Sequence, residues 1–267
     1  MIGYLKYFKT EIISGLQYKV AALAGIATQI FWGFLNIMLY SVLYTKSDAS
    51  VLINLPQLIT YIWLNQAFLV LVYVSYKDSE IIDNIKKGTV AYELCRPYNL
   101  YNWWYIKMFS KRLSQVMLRS LPIIVLGLIL PRPYNLQIPF SVVSFILFIF
   151  SLILGGFIIV SIQMIIHSIS FFTYQDKGIS DIVFLIVGVL AGSVVPVPLL
   201  PNVLRIITQY LPFRLIGDLP FRIYSGNINY IGAIKDIFLQ IIWLTILILI
   251  GQLIMRKALK KVSIQGG

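Results

Sequence analysis

The stretch PYNLQIPFSVVSFILFIFSLILGGFIIVSIQMIIHSISFFTYQ, residues 133–175, runs for 43 residues without one Asp, Glu, Lys or Arg. As a single helix it would measure about 65 Å at ~1.5 Å per residue, against a hydrocarbon core of about 30 Å. It therefore predicts one membrane crossing, at about 140–166, with non-spanning ends. Uncharged runs flank it at 20–45, 49–76, 182–204 and 237–255, and most of them are long enough to cross as well. A further apolar segment, 113–130, is interrupted only by Arg119, whose aliphatic stem can carry its charge to the interface.

Composition agrees with the runs. The 267 residues are 59% hydrophobic and 12% charged, with a mean hydropathy of +0.84, whereas soluble domains are about 45–50% apolar and about 25% charged. A soluble globular protein is excluded, and no room is left for a sizeable soluble catalytic domain. The expected architecture is an all-α membrane protein, a single transmembrane domain over 1–267. Its six transmembrane helices fall at about 20–45, 51–76, 113–130, 140–166, 180–196 and 232–255, with a cytoplasmic loop at 77–112 and an outer re-entrant segment at 193–222.

The 22 basic residues outnumber 10 acidic ones, and their placement is more telling than their excess. With a cytoplasmic N-terminus and six spans, 16 basic residues fall inside and six outside, Lys46, Arg132, Arg205, Arg214, Arg222 and Lys235, as the positive-inside rule expects. Both termini and Cys95 are thus expected in the cytoplasm. The basic residues are spread over several short segments and form no single nucleic-acid footprint, so no nucleic-acid partner is expected. Cys95 is the one cysteine and cannot form an intrachain disulfide. The small residues Ala22 and Ala24 open the first apolar run rather than follow it, so the first span is expected to be retained. Ahead of it, Ile2, Leu5, Phe8, Ile12 and Leu16 recur at helical spacing around Lys6 and Lys9. That pattern suits a helix lying in the interface, the alternative being a plain continuation of the first span.

Two non-spanning regions carry most of the information. In the cytoplasmic loop, Ile81, Ile82 and Ile85 share one face of a short helix, Glu80, Asp83 and Lys86 occupy others, and Gly88 suits its C-terminal cap. Such a helix is a docking element for another protein, or its apolar face rests on the bilayer or the spans. Arg96-Pro97 then breaks the chain, and Tyr98, Tyr101, Trp103, Trp104 and Tyr105 read as an interfacial aromatic belt. The second region, LAGSVVPVPLLPNVLRIITQYLPFRLIGDLP, holds Pro196, Pro198, Pro201, Pro212 and Pro220 in a segment too apolar for an ordinary loop. Broken backbone at membrane depth must be buried in protein or line a wet cavity, which points to a re-entrant or interfacial hairpin on the outer side. The plainer alternative is that these prolines only end the fifth span and turn the chain.

Catalytic chemistry finds little support. His167 is the lone histidine, so no His-rich metal site or Ser-His-Asp triad assembles, and no paired Cys or His spacing suggests zinc. No G-x-x-x-x-G-K-[ST] loop is present to cradle a nucleotide phosphate. No catalytic, cofactor-binding or metal-ligating residue is assigned.

Taken together, these features resemble a known family. Six spans, the N-terminal helix, the charged loop IKKGTVAYELCRPYN at 85–99 and the late GSVVPVPLLPNVLRIITQYLP at 192–212 look like the permease subunits of type-2 ABC exporters, particularly a bacterial branch of small six-span permeases. Gly88, Leu94, Arg96 and Pro97 after the second span, with Gly192, Pro196 and Pro201 after the fifth, carry the resemblance together. It implies a subunit of the bacterial cell membrane that is no enzyme itself. It would pair with a second permease, identical or different, among membrane lipids, and dock two separate cytoplasmic ABC ATPase subunits, where ATP and Mg would bind. The substrate would be a drug, peptide or lipid-like amphipathic compound, moved outward by alternating access. By position, the helix around Glu80–Lys87 becomes the coupling helix. Glu80, Ile81, Asp83, Ile85, Lys86 and Gly88 are then the docking residues, and Gly192, Pro196, Pro198, Leu200, Pro201 and Leu204 the outer gate. The competing classes are a membrane-embedded enzyme and a channel or scaffold without an ATPase partner.

Overall fold

The computed structural model describes residues 2–46, 52–73, 78–173 and 177–260. Residues 1, 47–51, 74–77, 174–176 and 261–267, among them the end of the expected second span, lie outside the described residues. Among the described residues every regular element is a helix.

Four helices are long and apolar enough to cross a membrane: α2 (Lys19–Lys46), α7 (Leu100–Ile129), α8 (Val142–Thr173) and α12 (Tyr230–Leu259). The other two expected crossings are shorter. Residues of the second form α3 (Leu55–Ala67) and α4 (Leu69–Val72), and those of the fifth form α9 (Lys177–Leu190). The six-span expectation thus rests on counting a broken helix and a 14-residue helix as crossings. The latter rises only about 21 Å.

Local chemistry explains where these helices begin. Asn54 caps α3, its side chain accepting from Gln57 N–H while Gln57 reaches back to Asn54 N–H, with Pro56 in the first turn. Asn99 and Asn229 cap α7 and α12 by the same acceptance. Arg256 and Lys257 lie in the last turn of α12, where their charge suits the carbonyl end of the dipole.

α7 and α8 form the spine. α7 packs against α1 (Ile2–Gly15), α2, α3 and α4, and α8 against α12, α4, the short helix α5 (Ser79–Lys86) and α11 (Asp218–Tyr224). Lipid gives no hydrophobic drive for helices to pair, so close approach and fitted side chains must hold them. Trp63 shows the device: fully buried, it lies against Gly33 of α2 and Gly127 of α7, meets Phe34 edge-on and donates its indole N–H to Tyr134 O at 2.9 Å. α1 is a separate helix, divided from α2 by a turn at 16–18. It lies along the first half of α7, with Tyr7 stacked on Trp103 at 3.8 Å and Gly15 against Ser114.

Candidate functional site

At one end of the spine sits the charged helix pair α5 and α6 (Val90–Leu94). Asp78 caps α5 by accepting from Glu80 N–H at 3.1 Å. Behind α5, Lys107 reaches Glu80 at 2.6 Å and Asp78 at 3.7 Å, and Lys111 reaches Asp78 at 2.8 Å and Glu80 at 3.6 Å. Burial alone would raise the Asp78 carboxyl, but the two ammonium groups outweigh it and hold the carboxyl below its ordinary range. Gly88 follows α5 at φ +71°, a left-handed turn that a side chain would strain. Glu93 then joins three helices, accepting from Asn84 at 3.0 Å and from the Trp104 indole at 2.5 Å.

The apolar face of α5 points inward. Ile81, Ile82 and Ile85 are buried at 0%, 6% and 4% exposure, with α8 among the neighbours of α5. Ile81 and Ile85, expected at a partner contact, instead seat the helix on its own spans, because this apolar stripe meets apolar spans within reach. Asp83, Lys86 and Lys87 are exposed, as are Cys95, Arg96 and Pro97, whereas Leu94 is half-buried. Tyr92 stands out at 75% exposure. The expected aromatic belt is also largely internal. Trp104 and Tyr101 are buried, Trp104 stacks on Phe171, and Trp103 is sandwiched between Tyr7 and Tyr98.

Arg112 links this end to the broken helix. Fully buried, its guanidinium donates to Val70 O at 2.5 Å, Leu71 O at 3.2 Å and Tyr73 O at 2.9 Å. Those are carbonyls at the C-terminal end of α4, which the helix itself leaves unsatisfied. The only sequence signal was a basic residue just before an apolar run. Arg119, expected to snorkel, lies against Gly25 of α2 and lines a cavity of about 490 Å³ with Glu11, Glu80, Lys111 and Gln115.

At the opposite end the chain breaks after α9. Gly192 takes φ +76°, and a Cβ there would collide with the Tyr61 hydroxyl. Two buried polar side chains of α3 satisfy the broken backbone: Tyr61 O–H donates to Gly192 O at 2.9 Å, and the Asn65 amide to Ser193 O at 3.0 Å. Between them and α2 lies a pocket of about 210 Å³, lined by Trp32, Asn36, Tyr40, Gln66 and Pro196 among others. A 3-10 turn (Val197–Leu199) leads to α10 (Asn202–Tyr210). Pro196, Pro198 and Leu200 are buried, Leu204 is half-buried and Pro201 is exposed at the head of α10.

The following loop dives back between the spans. A Cβ on Gly155 of α8 would meet the Ile216 carbonyl. Gln240 of α12, fully buried, donates to Leu215 O at 2.7 Å and Ser151 O at 3.0 Å. Gly155 and Gln240 lie about 20 Å and about 15 Å from the starts of their helices by rise per residue, so the loop penetrates that far. Lipid would leave these carbonyls unsatisfied, and a protein donor meets that need. Nearby, Arg214 grips Asp236 with two bonds of 3.0 and 2.7 Å, and Arg222 reaches the buried Asp218 at 3.3 Å. The candidate gate residues therefore divide: Gly192 and Pro196 face the small aromatic pocket, and Pro198 faces a larger basic one beside α10.

A family model described as "ABC-2 family transporter protein" matches residues 30–266, which covers every element named above except α1 and the first part of α2. Among curated proteins none matches the chain. The family match spans both the clamped helix pair and the buried backbone break, and the four long apolar helices supply the membrane body it requires. The chain belongs to the ABC-2 transporter family, as a multi-pass permease subunit of an ABC transporter.

Proposed function

We propose that this permease subunit serves an ATP-driven exporter of the bacterial cell membrane, with six crossings and both termini cytoplasmic. It pairs with a second permease and moves an amphipathic compound outward by alternating access. The observation that carries the reading is the clamp on α5 and α6. Ion pairs from Lys107 and Lys111, together with the Glu93 bridge to Trp104, tie both short helices to α7, and α5 also rests on α8. A push on this pair from a closing ATPase dimer would move the spine as a unit, which is what coupling nucleotide binding to a change in access demands. The surface left for an ATPase is polar with one aromatic anchor: Asp83, Lys87 and Tyr92, flanked by Arg96. Buried aromatics at the centre of an interface usually supply most of its energy. The pocket between α2, α3 and Gly192 mixes Trp32 and Tyr40 with the amides of Asn36 and Gln66, a lining suited to an amphipathic substrate.

The test is whether a neighbouring open reading frame encodes an ABC ATPase and whether that ATPase co-purifies with the permease, with and without Tyr92→Ala and Asp83→Lys. Both variants change exposed side chains and should leave the permease folded while weakening ATPase association by about tenfold or more. Undiminished association and substrate-stimulated ATP hydrolysis in both would remove α5 and α6 as the docking element.

A further inference from the structure

The end of the molecule opposite α5 is poor in positive charge, yet most of what it has converges on one place. Of the six basic residues allotted to that end, four, Arg205, Arg214, Arg222 and Lys235, line a single pocket of about 700 Å³ between α10, the loop after it and the first turns of α12. Two of them have carboxylate partners, Arg214 on Asp236 and Arg222 on Asp218. The other two do not: Arg205 is held by Asn202 at 2.6 Å, and Lys235 is exposed with no ion pair among the described residues. The Arg214 Nε–H is also buried without an acceptor. Four cations facing two carboxylates leave an uncompensated positive pocket where positive charge is otherwise avoided.

The wall of the pocket identifies the anion. α10 turns Arg205, Gln209 and Tyr210 to the pocket, while Val203, Ile206, Ile207 and the Tyr210 ring are exposed by 70%, 55%, 44% and 73%. A short helix with one apolar face bare and one polar face against cations is built to lie at the headgroup boundary of a bilayer. A free phosphate would use the cations and leave the apolar face without purpose. A phospholipid uses both. We propose that this pocket binds the phosphate headgroup of an anionic phospholipid in the leaflet at that end, its acyl chains lying along the exposed face of α10. The site involves neither the ATPase surface nor the direction of transport, so it stands apart from the functional proposal above.

Native mass spectrometry of the full-length protein in detergent, titrated with phosphatidylglycerol or with phosphatidylcholine of the same chains, reads the preference directly. Phosphatidylglycerol should bind about tenfold or more tightly. Arg205→Gln combined with Lys235→Gln should abolish that preference, since each surface cation contributes a several-fold factor toward an anionic headgroup. Lys257→Gln, at the other end of α12, should leave the preference intact. Equal binding of the two lipids, a preference that survives the double variant, or displacement of phosphatidylglycerol by an equal concentration of inorganic phosphate would each overturn the proposal. A measurement on the unaltered protein guards against a variant that fails to fold: phosphatidylglycerol with a photoreactive headgroup should label residues within 202–210 and 232–239. Labelling confined to 86–112 or 256–260 would place the lipid at the opposite end and refute the site.

Discussion

Single side chains at two depths decide how far broken backbone can be tolerated, and their costs differ. Arg112 gives three charge-assisted bonds to the end of α4, so Arg112→Met should destabilise by about 3 kcal/mol or more. Gln240→Leu removes two donors from carbonyls, but its own Oε1 is buried without a partner. Losing that unsatisfied acceptor offsets part of the cost, so about 1 kcal/mol is expected. Thermal unfolding in detergent should rank Arg112→Met well below Gln240→Leu, and Gln240→Leu modestly below the parent. A reversed order would mean that the loop end at 215, not α4, is the strained element. Asp78 adds a pH signature. Its folded pKa is depressed, so its contribution is fully present above the unfolded value of about 3.9 and fades as pH falls through the lower folded value. The stability gap between the parent and Asp78→Asn should be constant from pH 5 to 7 and close below about pH 4. A gap independent of pH down to 2 would show that the ammonium groups do not stabilise this carboxylate.

At the scale of elements, the amphipathic pattern of α5 was legible while its direction was not. Three isoleucines on one face predict burial against something. Whether that something is a partner or the chain's own spans depends on where α8 lies. The structure puts Ile81 at 0% exposure, so Ile81→Asp should lower expression and monodispersity of the permease alone, before any partner is added. Normal yield and unfolding temperature would contradict the buried seat. At the far end, Pro201 heads α10 with no side-chain cap. Pro201→Ala permits an added helical turn there, and it and Leu204→Ser, made separately, should each change export rate or substrate preference at unchanged expression. Wild-type export in both variants would reduce this segment to a turn.

For the whole molecule, orientation is the testable consequence of the charge asymmetry. Cys95 is the one cysteine, and it is exposed. A membrane-impermeant maleimide should label it in inverted vesicles and not in intact cells. In a Cys95→Ser background, Arg132→Cys, at an exposed position of the segment expected outside, should show the reverse. Labelling of Cys95 in intact cells would invert the assigned topology and with it the sense of every functional proposal that names a side.

What the sequence by itself determined was class and rough plan. Uncharged runs too long for any soluble core dictate membrane helices, and prolines at 196, 198 and 201 forbid a continuous helix, because both effects are local to the chain. The caps of α3, α7 and α12, first seen in the structure, each join residues three apart and so are local to the chain as well. Tertiary structure alone decided the rest. The break at Phe68 has no Gly or Pro to announce it, and the carbonyls at the end of α4, the short helix that follows the break, are satisfied by Arg112, some forty residues later. Tyr61, Asn65 and Gln240 read as minor polar residues within apolar runs, yet they hold the breaks at 192, 193 and 215. The convergence of Arg205, Arg214, Arg222 and Lys235 on one pocket is equally invisible along the chain. A backbone group broken in lipid needs a donor from whichever helix packs beside it, and which helix that is depends on the packing of the whole bundle.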